Sequence, residues 1–168
     1  MPYAYYARLK ARDKAIYRKS DAIAEIPLHG ADAFQPLVAM LESALASAKR
    51  TDVERATRAV SDAMLRSLRT PAVRIKVLSA RPSKSWGELH GLYEPAEGRA
   101  PATITLWMRT AHHKKVVAFR TFVRTLLHEL VHHLDYELLK LEDSFHTEGF
   151  FKRESSLFKQ LVAPKASG

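Results

Sequence analysis

The sequence contains no cysteine. This absence excludes disulfide cross-links, thiol catalysis and every cysteine-ligated zinc finger, so a metal must be bound by His, Asp or Glu. No uncharged apolar run approaches the roughly 20 residues that a membrane-spanning helix requires. The N-terminal segment reaches a charge at Arg8 without an apolar stretch or a small-residue cleavage site, unlike a secretory signal. We therefore expect a cytoplasmic protein that does not enter a membrane.

The composition is that of a globular protein with an excess of positive charge. Hydrophobic residues make up 46% and charged residues 27% of the 168 positions, which argues against disorder and suits one compact domain. The chain has 27 basic and 18 acidic residues and a net charge of +9, which makes an anionic partner possible. The excess is spread evenly along the chain, so charge alone does not indicate a dedicated binding half.

The first 70 residues are predicted to be helical, because Ala, Leu, Arg, Lys and Glu dominate them. Apolar residues recur at helical spacing across residues 34–45 and 53–68. Thr51 followed by Glu54 has the pattern of a capping box at the start of the second helix. We expect residues 1–70 to form a helical N-terminal scaffold that covers one side of the core.

After residue 72 the composition indicates strands and then two helices. The predicted strands cover residues 73–78, 86–93 and 102–108, a long helix covers 116–141, and a last helix covers 147–162. The predicted fold class is α+β, with a small sheet of about three strands and a core formed by residues 71–162. Residues 163–168 are expected to be a flexible tail.

The long predicted helix contains His128-Glu129-Leu130-Val131-His132, which has the H-E-x-x-H pattern. The two histidines lie one turn apart on one face, turned away from the main apolar stripe, so this face can open into a cleft. Two imidazoles placed this way bind one Zn²⁺ at about 2.0–2.1 Å, and Glu129 can reach a water at the metal. A pair of packed histidines is the plain structural alternative, and the candidate third ligands downstream favour the metal site.

A zinc site needs a third protein ligand. The metzincin pattern fails, because it requires Gly at position 135 and His at position 138, where this chain has Asp135 and Leu138. His146 is the better candidate, because the chain after His132 has room to end the helix, turn and return a side chain to the cleft. A predicted helix cap, Thr147, follows it directly. Three acidic residues are rivals: Glu142, Asp143 and Glu148.

Two residues beyond the motif are predicted to lie close to the ligands without binding the metal. Asp135 is about 10.5 Å of helix rise from His128, too far for both to bind one small ion. It either orients His132 from outside the coordination shell or is a solvated helix charge. Tyr136 is a candidate to border the site, with a packing or surface role as the alternative. Outer candidates are Tyr93 and His90, whereas His133 points away and is expected to be packed or solvent-facing.

These residues together resemble the SprT-like zinc metallopeptidase domain. The resemblance rests on HELVHHLD, on the downstream SFHTEGFF, on the basic pair Lys152-Arg153 and on the strand segment before the helix, and it covers about residues 70–160. It implies a zincin-like fold with His128, His132 and His146 as zinc ligands and Glu129 as the catalytic base. Many members carry a C-terminal cysteine zinc ribbon, which this sequence lacks, and the first 70 residues are outside the resemblance.

The sequence therefore predicts a zinc-dependent metallopeptidase with one Zn²⁺ per chain and a protein or peptide substrate. The strand around residues 104–107 is expected to offer an edge to which the substrate adds. The alternative is a basic nucleic-acid- or protein-binding module whose zinc site is structural or regulatory. The presence of Glu129 favours the enzyme, because a pure binding module does not need the base.

One stretch departs from the even spread of charge. No acidic residue lies between Glu97 and Glu129, whereas six basic residues do. Since this stretch runs into the first ligand, Lys114, Lys115 and Arg120 are predicted to attract an anionic partner, DNA, at the cleft entrance. A generally basic surface that serves solubility is the alternative.

Overall fold

The computed structural model describes residues 2–84, 87–88 and 91–162, and its fold class is α+β, as predicted. The described chain has five α-helices and a three-stranded mixed sheet. The helices are α1 Ala11–Asp21, α2 Gln35–Ser47, α3 Arg50–Ser67, α4 Phe119–Glu137 and α5 Glu148–Leu161. The strands are β1 Arg74–Ala80, β2 Ser83–Lys84, β3 Gly87–Glu88, β4 Gly91–Glu94 and β5 Thr103–Arg109, and β2 and β3 form a separate small hairpin. The predicted strand 86–93 lies partly, and the predicted tail 163–168 wholly, outside the described residues.

Helices α2 and α3 occupy the two segments in which apolar residues recur at helical spacing. The predicted capping box at Thr51 is wrong, because α3 begins at Arg50 and has no side-chain cap. Glu54 is engaged elsewhere: its Oε2 accepts a hydrogen bond from the backbone N–H of Val77, at 3.0 Å, and pairs with the Arg50 guanidinium at 3.2 Å. The carboxylate therefore ties α3 to the sheet instead of capping the helix.

The central strand of the sheet is β5. It pairs in parallel with β1, with Ile104 opposite Ile75, and antiparallel with β4, with Ile104 opposite Tyr93. The prediction that residues 104–107 offer a free edge is therefore wrong, because both sides of β5 are already hydrogen-bonded. The edge beside α4 belongs to β4, where Leu92 keeps 39% of its surface exposed.

One continuous apolar core joins the N-terminal helices to the rest of the chain. It contains buried residues of α2 and α3, of β1 and β5, and of α4 and α5. Helix α4 is shorter than the predicted 116–141, because Val116 forms a bridge with Arg109 and the N–H of Val117 donates to the carbonyl of Met108. These two residues extend the sheet instead of starting the helix. Within the described chain, no helix is both long and apolar enough to cross a membrane.

The end of α1 packs tightly against the start of α5. The backbone N–H of Gly149 donates to Oδ1 of Asp21, at 2.9 Å. A Cβ atom added at Gly149 would lie 2.5 Å from the carbonyl oxygen of Ser20 and 2.7 Å from that of Asp21. Both neighbours are backbone atoms that cannot rotate away, so this close approach requires glycine.

We expect Gly149→Ala to lower the free energy of unfolding by about 1–3 kcal/mol, because the added methyl group forces α1 and α5 apart. Urea unfolding followed by circular dichroism measures the change. Lys159→Ala, an exposed position on the same helix, serves as the control and should stay within about 0.5 kcal/mol of the parent. A Gly149→Ala protein as stable as the parent would contradict the tight packing.

Candidate metal centre

Three histidines from two parts of the chain converge at one point. His128 and His132 lie one turn apart on α4, and His146 lies just before α5. One ligand nitrogen from each can be chosen so that all three lie within 4.8 Å of one another. The Nε2 atoms of His132 and His146 are 3.0 Å apart. The three residues are thus close enough to bind one metal ion, as predicted.

The three rings share one supporting side chain, Phe150. Its ring centroid lies 4.9 Å from that of His128, 4.7 Å from that of His132 and 5.0 Å from that of His146. Phe150 is fully buried, and its backbone N–H donates to Oγ1 of Thr147, at 2.9 Å, as the predicted helix cap requires. The start of α5 therefore fixes both the loop that carries His146 and the floor beneath the cluster.

Each of the two α4 histidines has a hydrogen-bond partner on Nδ1. His128 Nδ1 lies 2.9 Å from Oε1 of Glu154, on α5. His132 Nδ1 lies 2.7 Å from Oγ of Ser144. Because Nδ1 is engaged in both rings, Nε2 is the nitrogen that remains for a metal.

The electrostatics of the cluster favour the neutral form of two of its imidazoles, His132 and His146. Burial, together with the repulsion that a protonated His132 would meet from the neighbouring His128 and His146, lowers the pKa of His132 to about 3. Burial also lowers the pKa of His146. Neutral imidazole is the form that binds a metal, so these two rings do not have to release a proton before a metal binds.

The acidic rivals of His146 are engaged away from the cluster. Glu142 is exposed and pairs with Arg12, at 2.9 Å. Asp143 accepts hydrogen bonds from the hydroxyl of Tyr136 and the N–H of Ser144. Glu148 pairs with Lys152, four residues along α5. His146 instead has its backbone carbonyl held by the Tyr5 hydroxyl, at 2.7 Å.

Glu129 lies beside the cluster and is 93% buried by surface, with 7% exposed. Burial raises the pKa of its carboxyl group to about 7, with the nearby His128 opposing the shift. Strand β4 approaches this carboxyl group closely at Gly91, where an added Cβ would lie 3.1 Å from Oε1 and Cγ of Glu129 and 2.9 Å from Cγ2 of Thr125. A carboxyl group with a pKa near neutrality is suited to accept and return a proton.

The cluster lies in an open cleft of about 690 Å³ between α4 and β4. The β4 wall is formed by Gly91, Leu92 and Tyr93, and Tyr136 lies on the α4 wall. The ring of Tyr93 stacks on that of Tyr136, and its hydroxyl lies 2.9 Å from Nδ1 of His133. The outer candidate His90 lies outside the described residues.

His133 and Asp135 are both buried, which excludes the solvent-exposed alternative for each. His133 Nε2 lies 2.8 Å from the carbonyl oxygen of Pro71, so this ring links α4 to the start of β1. Asp135 accepts a hydrogen bond from the Ser144 hydroxyl, at 2.7 Å, and pairs with the Arg153 guanidinium, at 3.0 Å. Its link to His132 is therefore indirect and passes through Ser144.

The predicted anion-binding residues lie outside the described lining of the cleft. Lys114 and Lys115 lie in the connection between β5 and α4, and the guanidinium of Arg120 lies over the ring of Phe158, 5.0 Å from its centroid. The basic residue that lines the cleft is Arg124, which packs on the same ring at 4.1 Å and lies 3.5 Å from Glu154.

Sequence reasoning missed the residues that support the ligands, namely Glu154, Ser144 and Phe150. Phe150 and Glu154 are four residues apart, so they lie on the same face of α5. That spacing was a usable signal once His146 and the Thr147 cap had been placed. Ser144 lies in a loop without periodicity, and no sequence pattern indicates its contact with His132.

Comparisons with known protein families, with curated proteins and with solved structures found no match for this chain. The assignment of a function therefore depends on the geometry of the site itself.

Protein purified without added zinc should contain about one zinc per chain, and His146→Ala should lose most of it, because two imidazoles bind far more weakly than three. Mass spectrometry of the metal content measures the change. Glu142→Ala and Glu148→Ala are the matched controls and should keep the parent's zinc content. Zinc retained by His146→Ala and lost from either control would contradict the third-ligand assignment.

Proposed function

We propose that this chain is a zinc-dependent metallopeptidase of the SprT-like kind, which hydrolyses peptide bonds in a protein or peptide substrate. The observation that supports it most is the convergence of three histidines within 4.8 Å beside a buried carboxyl group, in an open cleft. The donor set fits zinc, because three imidazoles leave a coordination position for water or substrate.

A bound Zn²⁺ supplies Lewis acidity, which polarises the scissile carbonyl and lowers the pKa of a water. Glu129 accepts the proton of the attacking water on its carboxylate and returns it to the leaving amine. Its burial keeps the carboxylate poorly solvated, which makes it a stronger base than an exposed glutamate. The three histidine rings are oriented by side chains outside the cluster, since Phe150 contacts all three and Glu154 and Ser144 bond to Nδ1 of His128 and His132.

The substrate is best accommodated as an extended strand along β4. This strand is the edge of the sheet, and its residues Gly91, Leu92 and Tyr93 form one wall of the cleft. Backbone hydrogen bonds to an edge strand position a peptide with little regard to its side chains. Leu92 and Tyr93 would add apolar contacts, so the enzyme should prefer unfolded or flexible segments over folded domains.

The alternative function, a binding module with a structural zinc site, is less well supported. A structural zinc site is usually closed by four protein ligands. In the described part of the chain three histidines surround the position, and the cluster opens on a cleft. A buried carboxyl group beside such a site can transfer a proton during hydrolysis. In a purely structural site it would have no role, and burial of an ionisable group is unfavourable for stability.

Glu129→Gln should keep the zinc content and the circular dichroism spectrum of the parent but lose about 10²–10⁴-fold in hydrolysis, because an amide does not accept the proton. Cleavage of fluorescently labelled casein measures the rate. Glu137→Gln, two turns along the same helix, is the matched control and should cleave at the parent rate. Casein cleavage at the parent rate by Glu129→Gln would contradict the mechanism.

Gly91→Ala should slow hydrolysis by up to about 100-fold, because the added Cβ displaces the Glu129 carboxyl group by a fraction of an ångström. Zinc content should not change, because the three atoms nearest to this Cβ position belong to Thr125 and Glu129 and not to a histidine of the cluster. In a Glu129→Gln background the same substitution should not lower the rate of hydrolysis further, since the carboxyl group through which it acts is already absent. Equal losses in both backgrounds would show that Gly91 acts independently of Glu129.

A further inference from the structure

We propose that Ser144 is a positioning residue that fixes the protonation pattern of the His132 ring, so that Nε2 faces the cluster unprotonated. The proposal goes beyond the hydrolytic role and concerns this chain's own hydrogen bonds. It rests on a chain of four side chains, Arg153, Asp135, Ser144 and His132, joined by contacts of 3.0, 2.7 and 2.7 Å.

The donor and acceptor roles along this series of hydrogen bonds are set at its buried end. Arg153 and Asp135 are both fully buried and form an ion pair. The guanidinium has only donors, and its other hydrogen bonds go to the carbonyls of Ser20 and Ile23 and to the Ser20 hydroxyl. Paired in this way, the Asp135 carboxylate is ionised and only accepts hydrogen bonds.

Ser144 must therefore donate its single hydroxyl proton to Oδ2 of Asp135. Its Oγ then has only lone pairs left for His132 and must accept a hydrogen bond from that ring. The 2.7 Å contact between Oγ and Nδ1 therefore requires a proton on Nδ1. A neutral imidazole carries one proton, and Nε2 is left as an acceptor. The 3.0 Å contact between the Nε2 atoms of His132 and His146 then has His146 as the donor.

The position of Ser144 is itself well defined. Its backbone N–H donates to Oδ1 of Asp143, at 2.8 Å, and the same oxygen accepts the Tyr136 hydroxyl. The serine is thus held from its backbone by one aspartate and from its side chain by another. His128 Nδ1 contacts the Glu154 carboxylate directly, whereas His132 Nδ1 is linked to a carboxylate only through the serine.

Nitrogen NMR of the metal-free full-length protein tests the proposal without any measurement of activity. The His132 signal is assigned by comparison with His132→Asn, and spectra are recorded at about pH 8, above the pKa of about 6 to which burial raises Asp135. We expect the parent to carry the proton on Nδ1. In Ser144→Ala the ring should shift towards the Nε2–H form, which is the form that free imidazole side chains favour in water.

Zinc affinity gives a second measurement, by competition with a chromogenic chelator. Ser144→Ala should bind zinc about 10–100-fold more weakly, as expected for loss of an outer hydrogen-bond partner of a ligand. Ser144→Thr retains the hydroxyl and should restore both the affinity and the Nδ1–H form. Ser156→Ala, a half-buried serine on α5 that contacts Gln160, is the matched control and should behave as the parent.

A proton on Nε2 of His132 in the parent, or an unchanged ring in Ser144→Ala, would overturn the proposal. Parent-like zinc affinity of Ser144→Ala would do so as well. A purely structural role would lower the unfolding midpoint of Ser144→Ala without moving the NMR signal, which also overturns it. Since no measurement here follows peptide cleavage, an inactive parent protein with the expected NMR and zinc results would refute only the proposed peptidase function.

Discussion

The ion pair between Arg153 and Asp135 is the interaction on which the site depends. A guanidinium without solvent contact requires protein acceptors, because an unpaired buried charge costs several kcal/mol. Its acceptors come from the end of α1, at Ser20 and Ile23, and from α4, at Asp135, while the guanidinium itself belongs to α5. The two terminal nitrogens of the guanidinium thus link all three segments at once, whereas Nε is buried without a hydrogen-bond partner in the described part of the chain. That arrangement places His146, just before α5, opposite His128 and His132 on α4.

The types and order of most elements, and the two histidines on α4, follow from local patterns. Helical spacing of apolar residues located α2, α3, α4 and α5, and the four-residue spacing of the histidines placed them on one face. The position of His146 depended on the loop after α4, which brings this residue back beside the two histidines. The helix cap at Thr147 made that position predictable. The order of the strands was not predictable in this way, because the parallel pairing of β1 with β5 joins distant segments and leaves β4 at the edge.

The N-terminal region contributes to the site as well as to the core. The hydroxyl of Tyr5 holds the carbonyl of His146, and the ring of Tyr3 packs against Phe151, whose own ring lies 5.7 Å from His146. Together with the contacts of Ser20 and Ile23 to Arg153, these interactions support the third histidine from two directions. Composition alone indicated only a helical scaffold here, because contacts between residues more than 100 positions apart leave no periodic signal.

The two histidines on α4 are supported in electrostatically different ways. Asp135 is matched by the guanidinium of Arg153, so its charge is largely compensated, and its effect on His132 through Ser144 is mainly one of orientation. Glu154 touches His128 directly, and the cation with which it pairs, Arg124, is partly exposed and 3.5 Å away. More of its negative charge therefore acts on His128, which raises the basicity of that ring and makes it a stronger metal ligand. The cluster thus contains one electron-rich histidine, His128, and two histidines whose orientation is fixed by hydrogen bonds. Ser144 holds the ring of His132, and Tyr5 holds the backbone of His146.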